Sequence, residues 1–543
     1  MIVFRRSIQI GSLFLFLVFL AAAGNFSGSD LFLRMDPALV GITAIAGRVI
    51  KWAFFPALLV LLSAPLFGRV FCGYICPMGT TIDLADARIA PKKPVPPRWI
   101  RPNLKIYLLA FSIGAALLGV SLAFWTAPLA LITRFYGMVV YPVVLLFSDA
   151  ALTVIQPIAD RFDIRKLMFL SIEDRRYAAN LFVLLLFAEI FAAARLSPRF
   201  WCRYICPAGA ILALFSVKPL VRRRVGEDCN GCGKCARVCP MGAIDADDPV
   251  RVRYADCLAC RTCEASCPQE AIRFSTEHRG AAGVPVSTDR RRVLVSGLGG
   301  AIVAAVGLTG LMAATSDKAE GEVCDPRLIR PPGALPEPDF LSACVRCGQC
   351  MAGCPTNTLQ PVWFAAGPLG MFSPAVTPRR RYCDPKCTTC GDACPTGAIR
   401  RLNSRDRVWA RVGTAIIHRQ KCLAWEYRKS CMVCDEVCPY DAVKFEKQLE
   451  LPFPVPHVDE DKCAGCGYCE HFCPVRNEAA IVVTPMNALR LGGGSYEETA
   501  KSRGYRLRLR TEKSHVANTP GYPGDDGTPA SSGGLAPGFD EGL

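Results

Sequence analysis

Long uncharged runs dominate the N-terminal part of the chain, and shorter segments broken by cysteines follow them. Runs at residues 7–29, 52–68, 106–133 and 177–194 approach or exceed the roughly 20 helical residues that cross a hydrocarbon core. Only Glu189 interrupts the last run. Four membrane-spanning helices are predicted. A further apolar stretch, 135–156, carries Pro142 and Asp149 and reads as an outer-side or re-entrant segment, with two crossings as the alternative. Residues 293–316 form an uncharged Gly/Ala-rich stretch of spanning length but modest hydrophobicity. From His515 onward Gly, Pro, Ser and Asp prevail, the composition of a disordered tail.

Basic residues orient these runs. Arg5 and Arg6 precede the first, Lys92, Lys93, Arg98, Arg101 and Lys105 crowd the loop between the second and third, and Arg195, Arg199, Arg203 and Lys218 follow the fourth. The positive-inside rule puts all three places in the cytoplasm, which requires an even number of spans. Arg165, Lys166, Arg175 and Arg176, interleaved with acidic residues, lie in the loop expected outside. Glu189 is a carboxylate inside an expected span, hence a catalytic candidate as proton relay; the alternative is an ion pair with Arg195. Before the 293–316 stretch stands Thr288-Asp289-Arg290-Arg291-Arg292-Val293-Leu294, which resembles an internal twin-arginine signal. Domains that receive metal clusters in the cytoplasm must be exported folded, and that pathway does so. The alternative is a plain fifth span; both place the C-terminal half outside. Cleavage near residues 312–315 would release that half, and an uncleaved anchor is the preferred expectation.

With 543 residues, 51% hydrophobic and 20% charged, the chain is neither one compact soluble domain nor disordered. Its 63 Lys+Arg against 47 Asp+Glu leave a formal charge of +16. Cytoplasmic loops and compensation of anionic clusters account for this surplus. Nucleic acid is not the expected partner, because no basic helix or stacking platform stands out. All of the 29 cysteines except Cys324 fall into tight groups, a pattern of metal ligation in a reducing compartment and not of a disulfide framework. Cys324 has no assigned role.

Two of the groups repeat one sequence: Phe71-Cys72-Gly73-Tyr74-Ile75-Cys76-Pro77-Met78-Gly79 and Trp201-Cys202-Arg203-Tyr204-Ile205-Cys206-Pro207-Ala208-Gly209. Each follows an expected span. Cysteines four apart share a helical face, so two such pairs can bring four thiolates together as one further thiolate-bound redox or metal centre. The structural alternative is a pair of helix-end motifs with buried thiols. The first histidine is His278, so no haem is held by histidine in the membrane half.

Cys229, Cys232, Cys235 and Cys239, then Cys257, Cys260, Cys263 and Cys267, each spell C-x2-C-x2-C-x3-C-P. In two-cluster ferredoxins three thiolates hold one 4Fe-4S cluster and the cysteine before proline serves the other. Zinc sites favour two separated C-x-x-C pairs instead. Two cytoplasmic 4Fe-4S clusters are expected. Four further groups follow: Cys344, Cys347, Cys350 and Cys354; Cys383, Cys387, Cys390 and Cys394; Cys422, Cys431, Cys434 and Cys438; Cys463, Cys466, Cys469 and Cys473. Their first members recur every 39, 39 and 41 residues, one repeated unit whose two inner copies stretch the first interval. Four outer clusters bring the expected total to six. The arginines at 379–381 and between 400 and 411 offset cluster charge, meet an acidic partner, or form a solvated face.

This order of parts resembles a fusion of two ferredoxin-type subunits of the periplasmic nitrate reductase system. Residues 1–275 resemble the NapH (MauN-like) membrane subunit, through the two C-x-x-x-C-P motifs and the two-cluster unit. Residues 288–485 resemble the NapG (MauM-like) polyferredoxin, through the twin arginines, Arg330-Pro331-Pro332-Gly333-Ala334-Leu335-Pro336-Glu337 and the four motifs starting Cys344-Val345-Arg346-Cys347-Gly348. The resemblance implies a quinol dehydrogenase component that passes electrons from the quinone pool to a periplasmic redox enzyme or cytochrome. It also implies that the first outer motif shares clusters with the fourth and the second with the third. Membrane ferredoxins of the copper-oxidase assembly type share some motifs, so maturation or copper reduction is the alternative function.

The expected fold is a multi-domain membrane protein in the bacterial inner membrane, an α-helical transmembrane bundle with α+β bacterial-type (ferredoxin-like) 4Fe-4S domains. Its expected parts are a transmembrane domain (1–220), a cytoplasmic two-cluster domain (221–280), a twin-arginine-like anchor (281–320), a periplasmic four-cluster domain (321–490) and a tail (491–543).

Overall fold

The computed structural model describes residues 2–24, 28–91, 100–101, 103–162, 175–245, 247–276, 288–309, 327–449 and 451–510. Lys92, Lys93, Arg98, Arg165, Lys166, the 312–315 stretch, Cys324 and the tail from residue 515 lie outside the described residues.

The apolar runs fold as a helical bundle whose longer members are Ile2–Ala21, Phe55–Phe67, Leu104–Leu117, Tyr141–Arg161, Asn180–Ala192 and Arg290–Thr309. Two stretches, Val3–Ala21 and Pro128–Pro157, are long and apolar enough to cross a membrane. The 106–133 run is not one helix. Leu104–Leu117 stops before Gly119, whose φ of +86° turns the backbone, a conformation glycine adopts without steric penalty. After the short Ala123–Thr126 helix, Pro128 starts Pro128–Phe135 at a position where its missing N–H does no harm. That helix continues through Tyr136–Val140 into Tyr141–Arg161. Residues 135–156, expected as an outer-side or re-entrant segment, therefore prolong a helix whose first turns are buried.

The first half of the bundle also contains Pro37–Gly47, capped by Asp36. Its N-terminus meets that of Pro128–Phe135, where the Leu129 N–H points to Asp36 Oδ2 at 3.5 Å. Leu104–Leu117 and Arg290–Thr309 lie against each other at Gly114 and Gly300, where a Cβ would run into the facing backbone.

Three two-motif units complete the fold. In the first, β1 (Arg222–Val225) pairs antiparallel with β2 (Ile272–Ser275) and brackets both cysteine motifs. The next spans the first two outer motifs, with the hairpin of β3 (Leu359–Pro361) and β4 (Pro374–Val376) between them. In the third, β5 (Thr414–Ile417) pairs with β8 (Ile481–Thr484), and the hairpin of β6 (Val443–Glu446) and β7 (Val455–Val458) lies between motifs.

The first unit packs on one end of the bundle. Tyr74 Oη donates to the Ala259 carbonyl at 3.1 Å, and Lys105 and Arg69 flank Asp256. The second unit occupies the opposite end, where Gln349 donates to the Ser29 carbonyl, Tyr177 Oη to that of Met351 and Lys51 to that of Thr396, and the third unit packs on the second.

Candidate iron–sulfur sites

The tandem ferredoxin units bring their cysteines together across motifs. One cavity of the first unit is lined by Cys229, Cys232, Cys235 and Cys267, another by Cys239, Cys257, Cys260 and Cys263. The same exchange recurs in the third unit: Cys422, Cys431, Cys434 and Cys473 line one cavity, Cys438, Cys463, Cys466 and Cys469 another. In the second unit Cys394 interacts electrostatically with Cys344, Cys347 and Cys350, while Cys354 does so with Cys383 and Cys390, the motif that also contains Cys387. Each three-plus-one set suits a 4Fe-4S cluster. Among the described residues no three His, Cys, Asp or Glu side chains stand close enough to share a single ion; thiolates that bind different irons of one cluster stand farther apart than ligands of one metal.

The resemblance-implied pairing of the outer motifs is corrected here. The first motif associates with the second and the third with the fourth. Each pair is joined by a short linker containing its own hairpin, so its loop closes locally at a smaller entropic cost than first-to-fourth pairing. The two outer units still touch, since the Cys383 N–H donates to the Cys466 carbonyl at 2.8 Å.

Burial raises the pKa of several of these thiols, that of Cys347 to about 12 and that of Cys383 to about 11. A bare thiolate is costly there; a bound cationic metal restores its preference. Arginines supply further positive charge. Arg407 Nη2 donates to Cys383 Sγ at 3.2 Å and to the Asp384 carbonyl at 2.6 Å, and its Nε donates to the Cys387 carbonyl at 2.8 Å. Arg223 reaches Cys235 Sγ at 3.4 Å. The basic stretches divide by role: Arg407 and Arg411 are buried among cysteines, Arg379 donates to the Glu470, Cys473 and Val475 carbonyls, and Arg401 is exposed.

The four cysteines of the aromatic-Cys repeat are all buried and share one core. Their local geometry is not a plain α-helical face. Phe71–Ile75 and Trp201–Ile205 are wide turns in which the N–H groups of Cys76 and Cys206 reach back five residues, to Phe71 and Trp201. Such turns concentrate at functional sites. Cys76 and Cys206 then serve as N-caps of Pro77–Ile89 and Pro207–Phe215.

Glu189 lies on the exposed outward face of Asn180–Ala192, away from this core. Fully buried carboxylates are found instead at Asp30 and at Asp36, whose Oδ1 accepts the Ala38 and Leu39 N–H groups. Two buried arginines also escaped the sequence reading. Arg69 and Arg199 each stand three residues before the first cysteine of a copy, so extending the repeat alignment leftward would have found them.

Models of two families match the chain: a 4Fe-4S binding domain at residues 49–96 and 179–226, and a 4Fe-4S dicluster domain at 228–271 and 428–477. Among curated relatives, the methylamine utilization ferredoxin-type protein MauM of Methylorubrum extorquens is 39% identical over 219 residues, covering 38% of this chain and 94% of that protein. The ferredoxin-type protein NapG of Escherichia coli is 37% identical over 170 residues, covering 29% and 71%. The putative electron transport protein YccM of Escherichia coli is 30% identical over 199 residues, covering 35% and 46%.

Proposed function

The chain belongs to the MauM and NapG family of ferredoxin-type iron–sulfur electron-transfer proteins, and we propose that it takes electrons from quinol in the bacterial inner membrane. It passes them to a redox enzyme or cytochrome on the periplasmic side. Bound 4Fe-4S clusters supply one-electron storage at each cysteine set, two on the cytoplasmic unit and four on the outer pair of units. The protein's own residues hold those sites in sequence. The Cys344 and Cys383 sets share one unit, the Cys383 backbone N–H donates to the Cys466 carbonyl of the next unit, and the Cys422 set lies beyond that contact. Delivery is expected there, beside the exposed Tyr427 and Met432.

The observation that carries the membrane part of this reading is the surface of the bundle between the iron–sulfur units. Phe14, Leu62, Phe147, Leu181, Leu185, Leu294 and Leu298 are each more than half exposed on outward helix faces. A water-soluble monomer rarely leaves so many large apolar side chains bare, whereas lipid covers them. Membrane fractionation with external proteolysis of spheroplasts tests the arrangement. The chain should resist carbonate extraction, and protease should remove residues 327–510 while sparing 221–276. Release by carbonate, or equal protection of both parts, refutes it.

A further inference from the structure

We propose that Cys72, Cys76, Cys202 and Cys206 together bind one iron–sulfur cluster, two ligands from each copy of the repeat, and that the Arg69 guanidinium donates hydrogen bonds to its sulfur atoms. The proposal rests on the iron–sulfur character of the chain and not on quinol oxidation.

The two copies interlock. A Cβ on Gly209 would lie 2.4 Å from Arg69 Nη2, and one on Gly79 would lie 3.6 Å from Arg199 Nη2. Each arginine thus packs on the glycine three residues beyond the second cysteine of the other copy. Their hydrogen bonding differs sharply. Arg199 is saturated: Nε and Nη2 donate to Asp83 at 2.5 and 2.6 Å, and Nη1 to the Cys72 carbonyl at 3.2 Å.

Arg69 is 1% exposed, yet none of its three nitrogens has a hydrogen-bond partner among the described residues. Asp256 Oδ1, at 3.8 Å, is beyond hydrogen-bond reach. A buried guanidinium with unanswered donors is expensive, and the groups whose charge it feels include Cys72, Cys202 and Cys206. An anionic group seated among those thiolates answers both problems. Cys76 and Cys206 start helices whose N-terminal ends carry partial positive charge toward the same place. The indole Nε1 of the buried Trp201, beside Cys202, is a further donor without a partner. The repeat contributes four buried thiols, two from each copy, the number that holds an iron–sulfur cluster.

The position gives the cluster a task. The backbone at Gly73, next to Cys72, packs against Leu258, next to Cys257. The apolar core that holds the four cysteines extends to Cys257 and Cys260 on one side and to Cys347 on the other. One electron accepted from either iron–sulfur unit and returned to the opposite one crosses the bundle with no bond made or broken.

The test uses the full chain, purified anaerobically in detergent, with iron, labile-sulfide and zinc analysis and a mediator-driven titration followed by electron paramagnetic resonance. Iron and sulfide should exceed the content of six 4Fe-4S clusters. Cys72→Ser and Cys206→Ser, one from each copy, should lose the same increment and leave the remaining signals intact. Arg69→Gln should keep that increment but lower the midpoint potential of the corresponding signal, and Arg69→Lys should largely restore it; a purely structural arginine would not move a potential. Iron equal to six clusters, zinc in the increment's place, or loss in one cysteine variant without the other overturns the proposal. Should the cysteine variants fail to fold, an unmoved potential in folded Arg69→Gln overturns it. Chemical reductants drive the titration, so failure of quinol to reduce the protein leaves this result readable.

Discussion

Replacing Arg407 by glutamine should lower the reduction potential of the cluster held by Cys383, Cys387, Cys390 and Cys354. The guanidinium is buried and bonded to Cys383 Sγ and to the Cys387 and Asp384 carbonyls. Although burial works against its charge, the neighbouring thiolates, Cys383 foremost, push its pKa above the ordinary arginine value. The cation is therefore retained and responds to each electron added. Nη2 stands 3.2 Å from the sulfur; for a charge separation of about 6 Å, an effective dielectric constant of about 20 would give roughly 3 kcal/mol of attraction for one added electron. At about 59 mV per tenfold change in a one-electron equilibrium, this corresponds to roughly 130 mV. Redox titration by electron paramagnetic resonance reads the shift on one signal. Arg407→Lys should recover part of it, and Arg405→Gln, on an exposed neighbouring position, should move it far less because solvent screens that charge. Equal shifts in Arg407→Gln and Arg405→Gln, or none in either, would refute the reasoning.

Other expectations concern packing and charge. Asp256→Asn leaves the buried Lys105 without its ion-pair partner and should weaken docking of the 221–276 unit by about 3–5 kcal/mol, read as faster hydrogen exchange there with the outer units unchanged. Gly465 has φ +72°, and a Cβ would lie 2.6 Å from the Gly413 backbone, so Gly465→Ala should destabilise the outer pair by about 1–3 kcal/mol in chemical denaturation; Gly492→Ala, with open space around it, should not. Burial raises the Glu470 pKa above its ordinary 4.5, despite the Val483 N–H bond that favours its ionised form. The folded state therefore prefers the protonated acid, whose stabilising contribution is present below pH 4.5 and lost as pH rises through the folded value. Glu470→Gln should be the more stable protein at pH 7, with the difference vanishing toward acid pH; a constant difference across the range would contradict this.

The ligands were legible in sequence because iron–sulfur chemistry imposes spacing: C-x2-C-x2-C-x3-C-P names its own residues. Spacing does not tell which motifs meet. The pairing of Cys344 with Cys394, and of Cys438 with Cys463, depends on hairpins β3–β4 and β6–β7 folding each linker back, and the family resemblance pointed elsewhere. In the bundle, apolar runs located helices but not their inward faces, since a helix hydrophobic all round hides its orientation. Glu189 consequently drew attention although it faces outward, while Asp30 and Asp36, in a short segment between longer runs, are fully buried carboxylates. The break at Gly119 was hidden because glycine is common inside apolar helices and only its φ reveals the turn. Arg199 reads in the sequence as a cytoplasmic flanking charge and Arg69 belongs to no motif there; only the fold shows both buried against the other copy's glycine.

The central claim, a quinol-fed iron–sulfur relay, is tested most directly by adding menaquinol in excess to the anaerobically purified protein and following the bleaching of cluster absorbance, with iron and sulfide measured on the same sample. Rapid reduction of a subset of clusters, abolished in Cys72→Ser or Cys202→Ser that retain the other six, is the predicted result. A protein with its full complement of clusters, none of which menaquinol reduces, would contradict it.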